Sequence, residues 1–447
     1  MIVSVPCFRW YFTIRFSYSH YQQSYYKSYI LSSLYIINKG YIRWFRYSFS
    51  ICKYPKFLVF SSINAQRPIS PKKEIGMKFT VPSNELQKAL AKVSGVVPSK
   101  STLPILENIL FRLSKNVLQL AATDLEVSML ASLDVKGSED GSIAVPAKRL
   151  METIRALPDI QLVFHADMSS NKVKMITEMG EYVLMGESSE EFPTIPQVKG
   201  DDKITLSGEM LKTMIHRTLF AVSSDELRPA MTGVLLQVKD GDLRTVATDG
   251  HRLVRIQYTG LKQPKLKWDI IVPAKALNLV SRSVDNETNT VSVDATHVQF
   301  TFGTTTLTSR VIEESYPNYE SVIPLDNDKK LVVARDLLLA AVRRVALYSS
   351  STTHQVRCSL RKNELRVMAE DIDFGGEAKE KVPCDYSGEE LEIGFNSTYL
   401  IDILSHLDGE EAEFKLGTSV RAAIITPAHQ KANEDLLMLV MPMRLNT

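Results

Sequence analysis

Leu243-Arg244-Thr245-Val246-Ala247-Thr248-Asp249-Gly250-His251-Arg252-Leu253 is the stretch on which the reading of this 447-residue chain turns. It reads as a strand ending in an acid, then a short polar turn. Its middle, Ala247-Thr248-Asp249, recurs as Ala122-Thr123-Asp124 and as Ala369-Glu370-Asp371. Outward from each copy the same landmarks follow in the same order. Upstream, a strand feeds a helix: Lys78-Phe79-Thr80-Val81 before 86–97, Ile204-Thr205-Leu206 before 210–219, and Leu331-Val332-Val333 before 337–347. Downstream come Val145-Pro146-Ala147, Val272-Pro273-Ala274 and, degenerate, Gly394-Phe395-Asn396. Last come Phe192-Pro193, Tyr316-Pro317 and Met441-Pro442. Landmarks in register at a spacing of roughly 125 residues mark a threefold internal repeat.

Each unit holds a half-repeat, since Val81-Pro82 before Leu86 returns as Val145-Pro146 before Leu150. Proline suits a helix start, where its missing N–H costs nothing. Six helices are therefore expected, with apolar stripes such as Leu86, Leu90, Val93 and Val97, or Leu400, Ile403, Leu404 and Leu407. Between them lie β-rich segments such as Val291–Val293 and Val298–Phe302. The expected class is α+β, in three tandem domains over 77–200, 201–328 and 329–447, with polar linkers at 197–202 and 326–330.

The first 76 residues stand apart. They carry 11 Lys/Arg against one acid, Glu74, and 19 of the chain's 37 aromatics. The overall charge of +2 thus conceals +10 there and −8 in the rest. No membrane-length uncharged run occurs in the segment. We expect it to be upstream sequence read through from an early start codon, with Met77 the first residue; an organelle leader is the alternative.

Five of the six helices set basic residues opposite their apolar stripes: Lys88 and Lys92, Lys148 and Arg155, Lys212 and Arg217, Lys275 and Arg282, Arg343 and Arg344. For one helix a solvated face explains this. Five in a chain otherwise acidic point to a surface that attracts a phosphate backbone without being generally adhesive. The sixth helix offers Asp402 and His406 instead. Phosphate-loop, dinucleotide, zinc-protease and nucleophile-elbow motifs are missing, and none of the four cysteines stands in a C-x-x-C pair. Asp249 and His251 invite thoughts of catalysis, but their counterparts in the other repeats bring no second His and no nucleophile. A structural turn shaped by Gly250, or a binding surface, is the expectation. The terminal run Leu436–Leu445, with three methionines and Pro442, closes a sheet or lines an adaptable apolar groove for peptides.

These residues resemble a family. Met77–Val81, Thr102-Leu103-Pro104-Ile105-Leu106, Thr123-Asp124-Leu125-Glu126, Leu243–Leu253, Tyr386-Ser387-Gly388 to Asn396, and Val440-Met441-Pro442-Met443-Arg444-Leu445 are similar to the bacterial β sliding clamp, the processivity subunit of DNA polymerase III. The likeness runs from Met77 to Leu445. It implies two chains closing head-to-tail into a six-domain ring, helices lining the channel and sheets outside. Such a ring encircles duplex DNA without reading sequence, and needs no catalytic residue, cofactor or metal. Lys100 joins the helix bases at a DNA-contacting position. The resemblance places a partner-peptide groove between the second and third domains, lined by Arg228, Met231, Thr248, Gly250, His251, Arg252, Leu253, Pro317, Val322, Asn396, Tyr399, Val420, Ala422, Val440, Met441, Pro442, Met443 and Arg444. Replicative polymerase, clamp loader, and repair and translesion polymerases would dock short peptides there. Tyr182 and Leu184 would meet Leu347 and Tyr348 of a second chain. Location in the cytoplasm on the nucleoid follows, with no membrane partner.

The chain departs from the family pattern at Pro229-Ala230, where aromatics are frequent, at Asp225, where a neutral polar residue touches DNA, at Met231 and Ala422 in the groove, and at Asn446-Thr447 beyond the usual end. Two competing readings stay open at the level of sequence. One is an open DNA-binding scaffold, the other an enzyme built round Asp249 and His251.

Overall fold

The computed structural model describes residues 76–198, 202–261, 266–284, 288–372 and 374–445, and the backbone of short strands at 29–30, 34–38, 41–45 and 48–49. The chain divides into two compact units, Met1–Glu74 and Ile75–Thr447. In the first unit, Tyr29–Ile30 pairs with Ser48–Phe49 and Leu34–Asn38 with Tyr41–Phe45, both antiparallel. The expectation about how that segment arises lies otherwise outside the described residues, as do Asn446-Thr447 and the middle of the 197–202 linker.

In the second unit, six α-helices stand among the described residues: α1 Ser83–Ser94, α2 Ala147–Ala156, α3 Gly208–Leu219, α4 Ala274–Ser283, α5 Arg335–Ala346 and α6 Ser397–His406. The helices opening each domain start two or three residues before the expected stripe. A stripe marks where burial begins, whereas a helix starts where its cap is. Pro82, Pro146 and Pro273 immediately precede α1, α2 and α4. Ser207 Oγ accepts the Met210 N–H at 3.2 Å before α3. Asn396 Oδ1 accepts the Thr398 N–H at 2.9 Å before α6, so the degenerate third copy of the landmark still caps a helix.

Each domain runs strand, helix, three-stranded meander, strand, helix, three-stranded meander, with a further short strand Lys136–Glu139 in the first, and its two helices pack together. In the first domain Leu86, Leu90 and Val93 of α1 and Leu150 and Ile154 of α2 are buried on a sheet face carrying Phe79, Phe111 and Phe164. Those three rings stack, with centroids 4.8 and 5.0 Å apart. Full burial of each such side chain stabilises by about 1.5–3 kcal/mol, which holds helices of only 10 to 12 residues in place.

The sheets do not stop at domain boundaries. A nine-stranded sheet joins the first and central domains by pairing Val127–Asp134 with Thr305–Arg310. A twelve-stranded sheet joins the central and third domains by pairing Arg252–Tyr258 with Glu434–Val440. A five-stranded sheet completes the first domain and ends at the strand Gly180–Met185. The expected linker at 326–330 is partly strand, because Lys329 and Lys330 open Lys329–Ala334.

Candidate nucleic-acid interface and peptide groove

The seam between the central and third domains collects most of the singled-out polar residues. The strand Asp242–Thr248 ends in a turn that Asp249 organises. One carboxylate oxygen of Asp249 accepts the N–H groups of His251 and Arg252 at 2.9 and 3.0 Å, and the other takes Arg252 Nε at 3.0 Å. Gly250 sits at φ +89°, where a side chain is strained, and a Cβ there would stand 3.1 Å from Arg228 Nη1. Asp249 is thus committed to holding a turn and an arginine.

Arg252 ties the two domains together. Its guanidinium donates to Asp402 on α6 and to the Phe220 carbonyl at 2.7 Å, and lies 4.9 Å from the Tyr399 ring centre and 5.3 Å from that of Phe220. Beyond it, His406 stacks on Phe220 at 4.1 Å and meets His216 at 4.6 Å. Burial holds the His406 imidazole below its ordinary pKa, and the nearby His216 acts in the same direction. Asp402 and His406, which broke the basic pattern of the sixth helix, therefore serve this junction. Phe220 and His216 were not foreseen, since nothing local in their sequence marks them.

The chain end forms one wall. After Val440, the Met441 N–H donates to the His251 carbonyl at 2.8 Å, and the Met443 N–H donates to the Gly394 carbonyl at 2.8 Å. The Arg444 carbonyl accepts from Gln355 Nε2 at 2.9 Å. Residues 441–445 thus cross from the middle of the large sheet to its Leu391–Asn396 edge. Met441 is 40% exposed beside His251, whose ring stacks on Tyr399 at 5.7 Å. Val322 and Val420 are more exposed still, while Tyr319, Leu253, Ala422 and Leu439 pack into one cluster beneath. Pro317 and Arg228 lie exposed, and Met231, Asn396, Pro442 and Met443 are half-buried. Thr248, Leu253, Ala422 and Val440, assigned to the same lining, are buried: Leu253 and Ala422 belong to the cluster beneath, and Val440 packs in the main core.

Asp225 has a structural task of its own. It accepts the Leu227 N–H at 3.0 Å and Arg228 Nε at 2.8 Å, bonds that hold its carboxyl below the ordinary range and fix Arg228 next to Gly250.

Of the helix bases, Lys88, Lys92, Lys148, Arg155, Lys275, Arg282, Arg343 and Arg344 are exposed, Lys212 is half-buried, and Lys100 is exposed in its loop. Lys275 pairs with Asp124 across the first seam, and Arg344 pairs with Glu380 through two bonds of 2.8 and 2.6 Å. Arg149, beside Lys148 and equally exposed, was missed. Arg217 is the second correction. It is 1% exposed and ion-paired to Glu434 and Asp408 of the third domain. A helical wheel placed it on the open side of α3, but the neighbouring domain closes over that side. At the free ends of the molecule, Leu347 is 81% exposed and Tyr348 half so, whereas Leu184 is largely covered by its own domain and leaves little side chain for a partner.

Among the described residues no helix is long and apolar enough to cross a membrane, and no group of three or more His, Cys, Asp or Glu could hold a metal ion. Three tandem domains of paired helices, backed by sheets that run through the seams and carrying exposed basic residues on the helices, make up residues 76–445. The chain belongs to the DNA polymerase III beta subunit family: models of its N-terminal, central and C-terminal domains match residues 77–196, 205–318 and 320–444. It is 33% identical to the beta sliding clamp of Pseudomonas aeruginosa and 32% to that of Escherichia coli, in each case over 83% of this chain and all of the relative. Among solved structures, the Pseudomonas aeruginosa polymerase sliding clamp with ligand superposes with a TM-score of 0.79 at 32% identity. The Bartonella birtlesii clamp bound to griselimycin does so with 0.78 at 31%; both span 83% of this chain and all of theirs. The protein is accordingly a non-catalytic processivity subunit, a ring that encircles duplex DNA as a homodimer and tethers polymerase and other proteins through a peptide-binding groove.

Proposed function

We propose that the tether is the surface formed by His251, Tyr399, Met441, Pro442 and Met443, rimmed by Arg228, Arg252, Pro317, Val322, Asn396, Val420 and Arg444, with Gly250 and Met231 shaping one end. The observation that carries this reading is the bond from Met441 N–H to the His251 carbonyl, which sets an exposed methionine beside an exposed histidine over an apolar floor. Met441 adapts to varied apolar anchors. Two buried anchors contribute roughly 3–6 kcal/mol before ordering costs, which suits exchange among the polymerase, the clamp loader and repair polymerases.

The exposed bases of α1, α2, α4 and α5, with Lys212 and Lys100, would meet phosphates inside the ring, on a nucleoid in the cytoplasm. A domain limit at 328 is supported by the strand Lys329–Ala334, which opens the third domain just after it. Titration with a polymerase-derived peptide tests the groove. His251→Ala and Met441→Ala should each weaken binding by about five- to thirty-fold, or 1–2 kcal/mol, with the dimer unchanged by sedimentation. Unchanged peptide affinity in both variants would remove these residues from the groove.

A further inference from the structure

We infer that the seam between the first and central domains carries a second peptide-docking surface, centred on Leu125 and rimmed by acids. Its occupant is a short extended segment with one apolar anchor beside lysine or arginine. The inference goes beyond the groove at the other seam and rests on that reading only for the mode of docking.

The two seams are built alike. In the first, the Leu125 N–H donates to Thr123 Oγ1 at 3.1 Å, and one Asp124 carboxylate oxygen accepts the N–H groups of Glu126 and Val127 at 3.0 and 2.7 Å. In the second, the Gly250 N–H donates to Thr248 Oγ1 at 3.1 Å, and Asp249 accepts from His251 and Arg252. The Arg310 N–H reaches the Glu126 carbonyl at 2.9 Å, as the Met441 N–H reaches that of His251 at 2.8 Å. Leu110, Ala121, Ala144 and Phe192 form a buried cluster that matches Leu235, Val246, Ile271 and Tyr316 position for position. Pro104 opens a short helical turn as Pro229 does, so Leu103 holds the place of Arg228.

The differences between the seams point to a ligand. The turn needs a positive φ, which Gly250 meets at +89° without strain, whereas Leu125 is held at +78°. The Leu125 side chain is 51% exposed and that of Leu103 47%, so burial does not explain a leucine at a position that glycine or asparagine fills unstrained. Beneath the turn, Ser128 stands opposite Thr308 where the other seam sets Leu253 opposite Leu439. The Ser128 hydroxyl bonds that of Thr123 at 2.8 Å. The Thr308 hydroxyl is buried and finds no hydrogen-bonding partner among the described residues. A peptide main chain reaching it gains a bond that the folded chain leaves unmade.

The rim names the occupant. Exposed Glu126, Glu313 and Glu314 hold the places of His251, Arg444 and Leu445, so the sign of the charge is reversed between the seams. Bases at the first seam are already engaged, Arg310 with Glu313 at 3.7 Å and Lys275 with Asp124. An anchor flanked by lysine or arginine is therefore complementary to this surface and mismatched to the other. Partners that themselves hold DNA present such bases.

Arrays of short synthetic peptides test it, each with leucine or phenylalanine at the centre, one set flanked by Lys and Arg and the other by Asp and Glu. The full chain should bind the basic set, and a variant carrying both His251→Ala and Met441→Ala should bind it equally well. Leu125→Asn and Glu126→Lys should each weaken that binding about fivefold or more. Asparagine accepts the turn's φ, so Leu125→Asn should keep or raise the melting temperature. A fall of several degrees would show that the leucine serves the fold, and would overturn the inference. So would loss of the basic set in the His251 and Met441 variant with retention in Leu125→Asn, which assigns those peptides to the other groove. Loss in Glu126→Lys alone would mean charge attraction without docking, and no preference for the basic set would refute the rim argument. A Leu125→Asn chain that sediments differently from the parent would assign the surface to contact between copies and end the proposal. The polymerase-peptide titration reads the other groove, so its outcome is separate from all of these.

Discussion

Lys212 and Arg217 lie five residues apart on α3 and share a charge, yet they have different surroundings. Lys212 keeps part of its surface in solvent, while Arg217 is enclosed by Glu434 and Asp408. Breaking a buried, paired arginine leaves the opposing carboxylate desolvated without compensation. Arg217→Ala should cost about 3–5 kcal/mol of stability in urea denaturation. Lys88→Ala, on an exposed face, should stay within about 0.5 kcal/mol. Equal effects of the two would contradict the burial described for Arg217. The sequence could show that both residues are basic and face away from the apolar stripe. It could not show that Asp408 and Glu434, far along the chain, come to cover one of them.

At the scale of elements, the packing of α3 against α6 predicts a pH dependence. His406 is half-buried, its Nδ1–H donates to the Asp402 carbonyl over 2.8 Å, and it is held below the usual imidazole range first by burial and then by His216. A lowered pKa means the unfolded chain binds the proton more readily. Stability from this group is present above its unfolded value of about 6.5 and is lost as pH falls through the lower folded value. Asp408 adds a second step of the same sign. Burial tends to raise its carboxyl, but the hydrogen bond from Lys431 and the charge of Arg217 outweigh that and hold it low. Its contribution is present above about pH 3.9 and fades below. Calorimetry should show a flat melting temperature between pH 8 and 7 and a decline below about 6.5, with the upper step reduced in His406→Phe. A parent protein more stable at pH 5.5 than at 7.5 would refute this. Helix existence was legible from periodicity, and helix starts from Pro82, Pro146 and Pro273. The cross-domain stack of His216, His406, Phe220 and Arg252 was not, because its members share no local pattern.

For the whole molecule, function is topological, so the decisive readout is topology. Loaded by its clamp loader and ATP onto nicked circular plasmid, the protein should stay bound through washing and leave once the plasmid is cut. Equal retention before and after cutting would mean surface binding. Both internal seams are made of main-chain pairing that fixes the angle between successive domains. The groove depends on the same continuity. His251 and Met441 meet only because Arg252–Tyr258 and Glu434–Val440 are neighbours in one sheet.

The order of strands and helices, the threefold repeat and the family likeness were determined by the sequence alone. They are carried by residues near one another in the chain, such as Ala247-Thr248-Asp249 and its two copies, where propensity and periodicity act. The tertiary structure decided which charges are solvated and which are enclosed, which groove residues reach the surface, and how far each helix extends. Arg217, expected on a DNA-facing surface, is enclosed in a buried ion pair, and Val440 and Leu253 are buried side chains. Desolvation and pleat direction depend on what a second domain lays over a residue, and that neighbour is set by strand pairing across long stretches of chain.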